Sequence, residues 1–254
     1  MTPEQFELFA RIEQDHWWFV ARRRIMRELV AHACPAQGDA VAVDVGCGSG
    51  GNIAALADRF RCVGIDESET AIALARARFP RVEFVRSTDS STIESYVGRA
   101  ELVTCMDVLE HVRHDAAFLE LIVDAARPGT TIFLTAAAGM ELWSQHDVTN
   151  DHYRRYTVDQ FAALWSELSV HVRLLSAFNA RLYPLVRAAR VIANARGRAH
   201  GVAGTDFDMP PRVVNRALER IFVGELDALR RAIDTPSRPY ARGVSVVALL
   251  ERTA

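Results

Sequence analysis

The stretch Val43-Asp44-Val45-Gly46-Cys47-Gly48-Ser49-Gly50 constrains this chain more than any other. It closes an apolar run that begins at Ala40, and Ile53, Leu56, Ala57 and Phe60 follow at helical spacing. The pattern predicts a strand, a tight turn and a helix. Gly46 and Gly48 let the backbone turn sharply and approach a ligand with no Cβ in the way, and the helix behind them offers unsatisfied N–H groups. Such a turn suits a nucleotide-containing cofactor. Gly46, Gly48 and Gly51 also satisfy the G-x-G-x-x-G of dinucleotide-binding folds, so the turn alone leaves the cofactor open.

Later segments narrow the choice. Arg61 to Asp66 is a second apolar run ending in an acid, and Asp66, with Glu67 beside it, lies where a carboxylate would accept hydrogen bonds from ribose hydroxyls. A short helix through Ala71, Leu74, Ala75 and Arg78 leads to a third strand, Val82 to Arg86. A fourth strand from Leu102 runs into Met106-Asp107-Val108-Leu109-Glu110-His111-Val112. Phe118, Leu119, Ile122, Val123 and Ala126 mark a further helix, and Arg127-Pro128-Gly129-Thr130 turns into a fifth strand, Ile132 to Thr135. Alternation of strands with crossover helices predicts a parallel, doubly wound sheet.

These residues carry a resemblance. The glycine turn resembles motif I, D/E-x-G-x-G-x-G, of class I S-adenosylmethionine-dependent methyltransferases, and Asp107 to Val112 resembles their D-V-L-E-H-V. His16-Trp17-Trp18-Phe19 with Arg22-Arg23, and His152-Tyr153-Arg154-Arg155-Tyr156-Thr157, resemble the H-W-W-F-x-x-R-R and H-x-R-R-Y-T of a bacterial small-molecule subgroup. The likeness covers nearly the whole chain, most strongly residues 40 to 135. It implies a Rossmann-like, doubly wound seven-stranded α/β sheet whose last strand is antiparallel. It also implies S-adenosylmethionine as methyl donor, with S-adenosylhomocysteine as product. Asp44, Gly46, Cys47, Gly48, Asp66, Glu67, Met106 and Asp107 would surround that cofactor, with Asp89 near the adenine amino group. Asp89 sits in a Ser-Thr-Asp-Ser-Ser run and could equally cap the next helix.

The N-terminal region predicts two helices, with the aromatic and arginine run between them. Trp18, Phe19 and Arg22 suit a lid that shields the cofactor and pairs with its carboxylate; alternatively the rings pack the helices onto the sheet and the arginines are solvated. The polar stretch Ala138 to Tyr156 ends at a capping box, Thr157-x-x-Gln160. A long loop rich in His, Arg and Tyr is expected to contact the acceptor, through Trp143, His152, Tyr153, Arg154, Arg155 and Tyr156, or in part to anchor the following helix. Val170 to Leu175 predicts a sixth strand and Gly243 to Leu250 a seventh. The insertion between them predicts an amphipathic helix through Leu182 to Ile192, a glycine-containing linker near Gly197 to Gly204, and a long helix from Arg212 to Ile233. The whole reads as one domain, 1–254: a lid (1–38), a core (39–178 and 243–254) and a helical cap (179–242) that serves the substrate side or a homodimer. Arg181, Arg187 and Arg190 could instead meet a membrane or lipid.

Composition removes other chemistries. All thirty basic residues are arginine, which excludes Schiff-base catalysis, a pyridoxal-phosphate anchor and a P-loop lysine. The net charge of -2 and the absence of a basic stripe argue against nucleic acid. The four cysteines, Cys34, Cys47, Cys62 and Cys105, form no C-x-x-C pair, and neither a signal-peptide pattern nor a spanning apolar run is present. A soluble, reduced, cytoplasmic protein is the expectation.

Without lysine, an oxygen or nitrogen nucleophile would be deprotonated by His, Asp or Glu. His111 is the first choice of general base and His152 the second. Asp107, Glu110 and His111 could also suit a divalent cation; the same segment occurs in metal-free relatives, and no metal is assigned. The expected reaction is methyl transfer to a small-molecule acceptor, at oxygen before nitrogen, with natural-product, sugar or lipid-linked acceptors open. The other readings are an oxidoreductase using NAD, for which no catalytic Tyr/Lys pair exists, and a binding protein without turnover.

Overall fold

The computed structural model describes residues 2–35, 39–195 and 207–254. Seven strands form one sheet in the order β3-β2-β1-β4-β5-β7-β6. They are β1 (Val41–Val45), β2 (Arg61–Asp66), β3 (Glu83–Arg86), β4 (Leu102–Met106), β5 (Thr131–Ala137), β6 (Val170–Phe178) and β7 (Ser245–Arg252). β1 to β5 pair in parallel, while β7 inserts antiparallel between β5 and β6, in register from Thr131↔Glu251 to Ala137↔Ser245. β4 and β5 are buried along their whole length, as strands covered by helices on both faces must be.

Two hydrophobic layers sandwich the sheet. On one face pack α2 (Trp17–Ala33), α4 (Glu69–Arg78), α10 (Arg212–Val223) and α11 (Leu226–Asp234), through Ile25, Leu29, Ile72, Phe222 and Leu229. On the other lie α5 (Ser90–Val97), α6 (Asp115–Ala125) and α8 (Val158–Ala163), through Val97, Leu119, Ile122 and Phe161. The remaining helices are α1 (Pro3–Ile12), α3 (Gly51–Ala54), α7 (Gln145–Thr149) and α9 (Tyr183–Ala195). Among the described residues no helix is long and apolar enough to cross a membrane.

Three expectations are corrected. The aromatic and arginine run does not link two helices: His16 caps α2, its Nδ1 accepting from the Trp18 N–H at 3.3 Å, and Trp17 to Arg24 form the first turns of that helix. Burial of Phe19, Ala21 and Ile25 continues the core stripe of Met26, Leu29 and Val30 through them. The helix after the glycine turn ends at Ala54, and the chain then tightens into i→i+3 bonds such as Ala55 to Asn52 and Leu56 to Ile53. The long helix from Arg212 breaks at Gly224-Glu225, where the buried Glu225 carboxylate accepts from the Arg181 N–H at 2.8 Å. The linker expected near Gly197 to Gly204 lies outside the described residues.

Candidate active site

The glycine turn is built at the carboxyl end of β1, the edge where open α/β sheets bind ligands. Gly46, Gly48 and Gly50 all adopt left-handed φ, at +78°, +53° and +82°. The Gly46 and Cys47 N–H groups both donate to the Ile65 carbonyl, at 2.8 and 3.0 Å. Asp66 grips the turn from β2: its Oδ2 accepts from the Gly48 N–H at 2.8 Å and its Oδ1 from the Ser68 N–H at 2.9 Å. A carboxylate offers about four acceptor sites, so two remain for a ligand. Beneath the turn Asp44 is buried, with Thr104 Oγ1 donating to Oδ1 at 2.6 Å and Oδ2 unpartnered. Burial raises its pKa to about 7, against the opposing pull of Thr104 and Arg22.

The first two helices close over this edge. Arg22 is buried, pairs with Asp107, and lies 4.3 Å from the Trp18 ring centre. Burial lowers its pKa to about 10, which leaves it a cation at neutral pH. Its Nε has no hydrogen-bond partner. Asp107 holds a left-handed φ of +55° and accepts from Thr135 Oγ1 at 2.9 Å. Glu13 ties the helices to the turn, pairing with Arg78 and accepting from Ser49 Oγ at 3.3 Å.

Opposite the turn, a buried carboxylate organises the third group. Asp147 Oδ1 accepts from Arg155 Nε at 2.7 Å and lies 2.8 Å from His152 Nδ1. Its Oδ2 accepts from Arg190 Nη1 at 3.1 Å and from the Ser144 N–H at 2.9 Å. Burial alone would raise the Asp147 pKa, but His152 and the two guanidiniums hold it well below the usual carboxylate range. The His152 and His111 rings meet edge to face, centroids 4.6 Å apart. Burial lowers the His111 pKa to about 3, with the neighbouring His152 adding to the effect. Glu110, raised by burial to about 7, accepts from the Ala137 N–H at 2.9 Å through Oε1.

One cavity of about 410 Å³ joins these groups, a size suited to a small-molecule site. Gly46, Cys47 and Gly48 line it from the turn, Trp18, Phe19 and Arg22 from α2, Met106, Asp107 and His111 from the end of β4, and His152 and Arg155 from the loop before α8. Asp44 and Asp66 stand behind and beside the turn rather than in the cavity wall.

Other expected contacts lie elsewhere. Glu67 and Asp89 are exposed, and Asp89 caps α5 by accepting from Ser91. Tyr153 is exposed between Arg113 and Arg154, and Arg154 pairs with Asp115. The buried Tyr156 hydroxyl donates to Asp115 at 2.6 Å, anchoring the loop to α6. Trp143 holds Asn194 through its backbone carbonyl. The split follows the partners each side chain takes: His152 and Arg155 turn to Asp147, whereas Arg154 and Tyr156 turn to Asp115. Asp107, Glu110 and His111 are each engaged apart, and no metal-holding cluster of three such residues occurs among the described residues.

Arg190 and Asn179 line the cavity and Asp147 stands behind His152, though the sequence reading expected none of the three there. Asp147 carried one signal, a capping box in which Ser144 precedes it by three residues.

A family model of the methyltransferase domain matches residues 18–169. A probable S-adenosylmethionine-dependent methyltransferase of Mycolicibacterium smegmatis is 28% identical over 119 residues, 46% of this chain and 44% of that protein. A ubiquinone biosynthesis O-methyltransferase of Albidiferax ferrireducens is 30% identical over 118 residues, 42% of this chain and 45% of that protein. The chain thus spans less than half the length of these curated relatives. Among solved structures, a putative methyltransferase from Bacillus halodurans superposes with a TM-score of 0.59 at 16% identity, covering 90% of this chain and 99% of that one. A TehB-like methyltransferase from Corynebacterium glutamicum gives 0.57 at 15% identity, covering 99% and 100%. With a family match over more than half its length, the chain belongs to the methyltransferase domain family.

Proposed function

We propose that this chain transfers a methyl group from S-adenosylmethionine to a hydroxyl oxygen of a small-molecule acceptor, with His152 as general base. The observation that carries the reading is the single cavity bounded by the glycine turn and Arg22 on one side and by the Asp147-backed His152 on the other. The residues fit the cofactor. Arg22 keeps a buried cationic Nε without a partner, suited to a carboxylate; the glycines admit close approach; Asp66 retains acceptor capacity for ribose hydroxyls. When bound, S-adenosylmethionine supplies an electrophilic methyl group on a sulfonium.

The chain's own task is to position and dry the acceptor, and positioning can contribute about 7–11 kcal/mol. The bond to Asp147 assigns the His152 proton to Nδ1, which leaves Nε2 to take the acceptor proton. Burial lowers the His111 pKa to about 3, which leaves it a weak base, and it packs against the His152 ring. Replacement of His152 by alanine is expected to slow methyl transfer about 10²- to 10⁴-fold while S-adenosylhomocysteine binds as before. A rate within threefold of wild type would remove His152 from the role.

The cofactor assignment is tested by calorimetric titration with S-adenosylmethionine, S-adenosylhomocysteine and NAD. Both adenosyl ligands are expected to bind, NAD not, and Asp66→Ala to weaken binding at least tenfold, since it removes the ribose acceptor and the Gly48 anchor together. Binding of NAD alone would overturn the proposal.

A further inference from the structure

Asn179 has no part in the chemistry described above. It is completely buried in the cavity wall, and neither its Nδ2 nor its Oδ1 hydrogen-bonds to the protein. Buried side-chain polar atoms nearly always find partners, so two orphans on one carboxamide call for an explanation.

The fold holds this amide in place. Asn179 directly follows β6 and has a left-handed φ of +53°. The backbone N–H groups of Asn179, Ala180 and Arg181 converge on the buried Glu225 carboxylate, the Arg181 bond measuring 2.8 Å. On the other side, a Cβ at Gly243 would lie 2.4 Å from the Phe178 carbonyl oxygen, so the start of β7 packs closely against the same bend. The backbone that carries the amide is thereby held from both sides.

Its place in the sheet identifies which end of the cavity it serves. Between β1, with the glycine turn, and β6 lie β4, β5 and β7, which makes four strand spacings or about 19 Å. Asn179 therefore stands at the end remote from the cofactor turn. Its carboxamide presents a donor beside an acceptor. Val244 and Ser245, at the start of the neighbouring β7, line the cavity with it, and the Glu225 carboxylate lies behind, so an anionic group there would meet a like charge.

We propose that Asn179 is a specificity-determining residue that recognises the acceptor through paired hydrogen bonds to a neutral amide-type edge: a lactam, carboxamide or imide. The word acceptor rests on the methyltransferase reading; the recognition chemistry does not.

The experiment uses the full chain and two matched probes, 2-quinolone and N-methyl-2-quinolone, which differ in the single N–H beside the carbonyl. Calorimetric titration of wild type is expected to show the N–H form binding at least about tenfold more tightly. Asn179→Leu should erase that preference. Asn179→Asp, nearly isosteric, should also reduce it and supplies the reading if the leucine variant does not fold. Failure of 2-quinolone to bind wild type, equal binding of the two probes, or a preference retained in both variants would overturn the proposal. S-adenosylhomocysteine is titrated into the same samples. Its failure to bind wild type would refute the methyltransferase reading and leave the probe preference to decide the role of Asn179.

Discussion

Asp147→Asn is expected to cost about 3–5 kcal/mol of folding stability, the usual result of removing one partner from a buried ion pair. The Asp147 side chain is fully buried, and the Arg155 and Arg190 side chains facing it are 3% and 7% exposed. The asparagine keeps the shape, so the loss comes from charge: two guanidiniums remain in a dry site with no anion between them. Urea unfolding should show a lower midpoint with an unchanged slope. A loss below about 1 kcal/mol would mean that water reaches the cluster and screens it. The pH dependence has a definite sign. Asp147 titrates below its unfolded value, so its contribution is complete above about pH 4 and disappears only as pH falls through the lower folded value. The stability gap between wild type and Asp147→Asn should be constant above about pH 4 and narrow in stronger acid. Asp44 and Glu110 act in the opposite direction. Their folded values near 7 mean that both oppose folding increasingly as pH rises from about 4 to 7.

The strands and the turn were legible because their signals are local. β1, β2 and β4 are short apolar runs that stop at or beside an acid, and burial on both faces leaves no competing polar alternation. The glycines at Gly46 and Gly48 stood out because left-handed backbone leaves few other residues available. What was not legible depends on long-range packing. Arg190 meets Asp147 from 43 residues away, and only docking of α9 brings them together. Nothing near Asn179 in the sequence tells that its amide will be buried without partners, because the bend that carries it is held by Glu225, more than forty residues further along the insertion. Tyr153 and Arg154 were misplaced for a different reason. The polar run names the loop, whereas its backbone phase decides which side chains face inward, and Arg155, not its neighbour, points to Asp147.

Gly46→Ala is expected to abolish cofactor binding, with a loss of at least about a hundredfold in affinity for S-adenosylhomocysteine. Two costs combine. Left-handed backbone costs a non-glycine residue about 1–2 kcal/mol. The larger cost is steric: a Cβ there would lie 2.3 Å from Val108 Cγ2 and 3.2 Å from Cγ1. Val108 follows Asp107 and lies three residues before His111, so relieving the overlap shifts the turn, or the stiff Val108 side chain and with it the loop that carries the Arg22 partner. Gly129→Ala isolates the first cost. It shares the left-handed conformation, φ +88°, but has nothing within 4 Å of the added carbon and sits at a remote turn. It should lose about 1–2 kcal/mol of stability and bind the cofactor normally. Val108→Ala separates the two costs at Gly46 itself, because it removes the methyl groups that the new Cβ strikes. The double variant Gly46→Ala/Val108→Ala should recover at least tenfold of the lost affinity, a coupling of about 1.4 kcal/mol, within the range seen for residues in contact. No recovery in the double variant would place the defect in the backbone conformation of the turn rather than in its contact with the β4 loop.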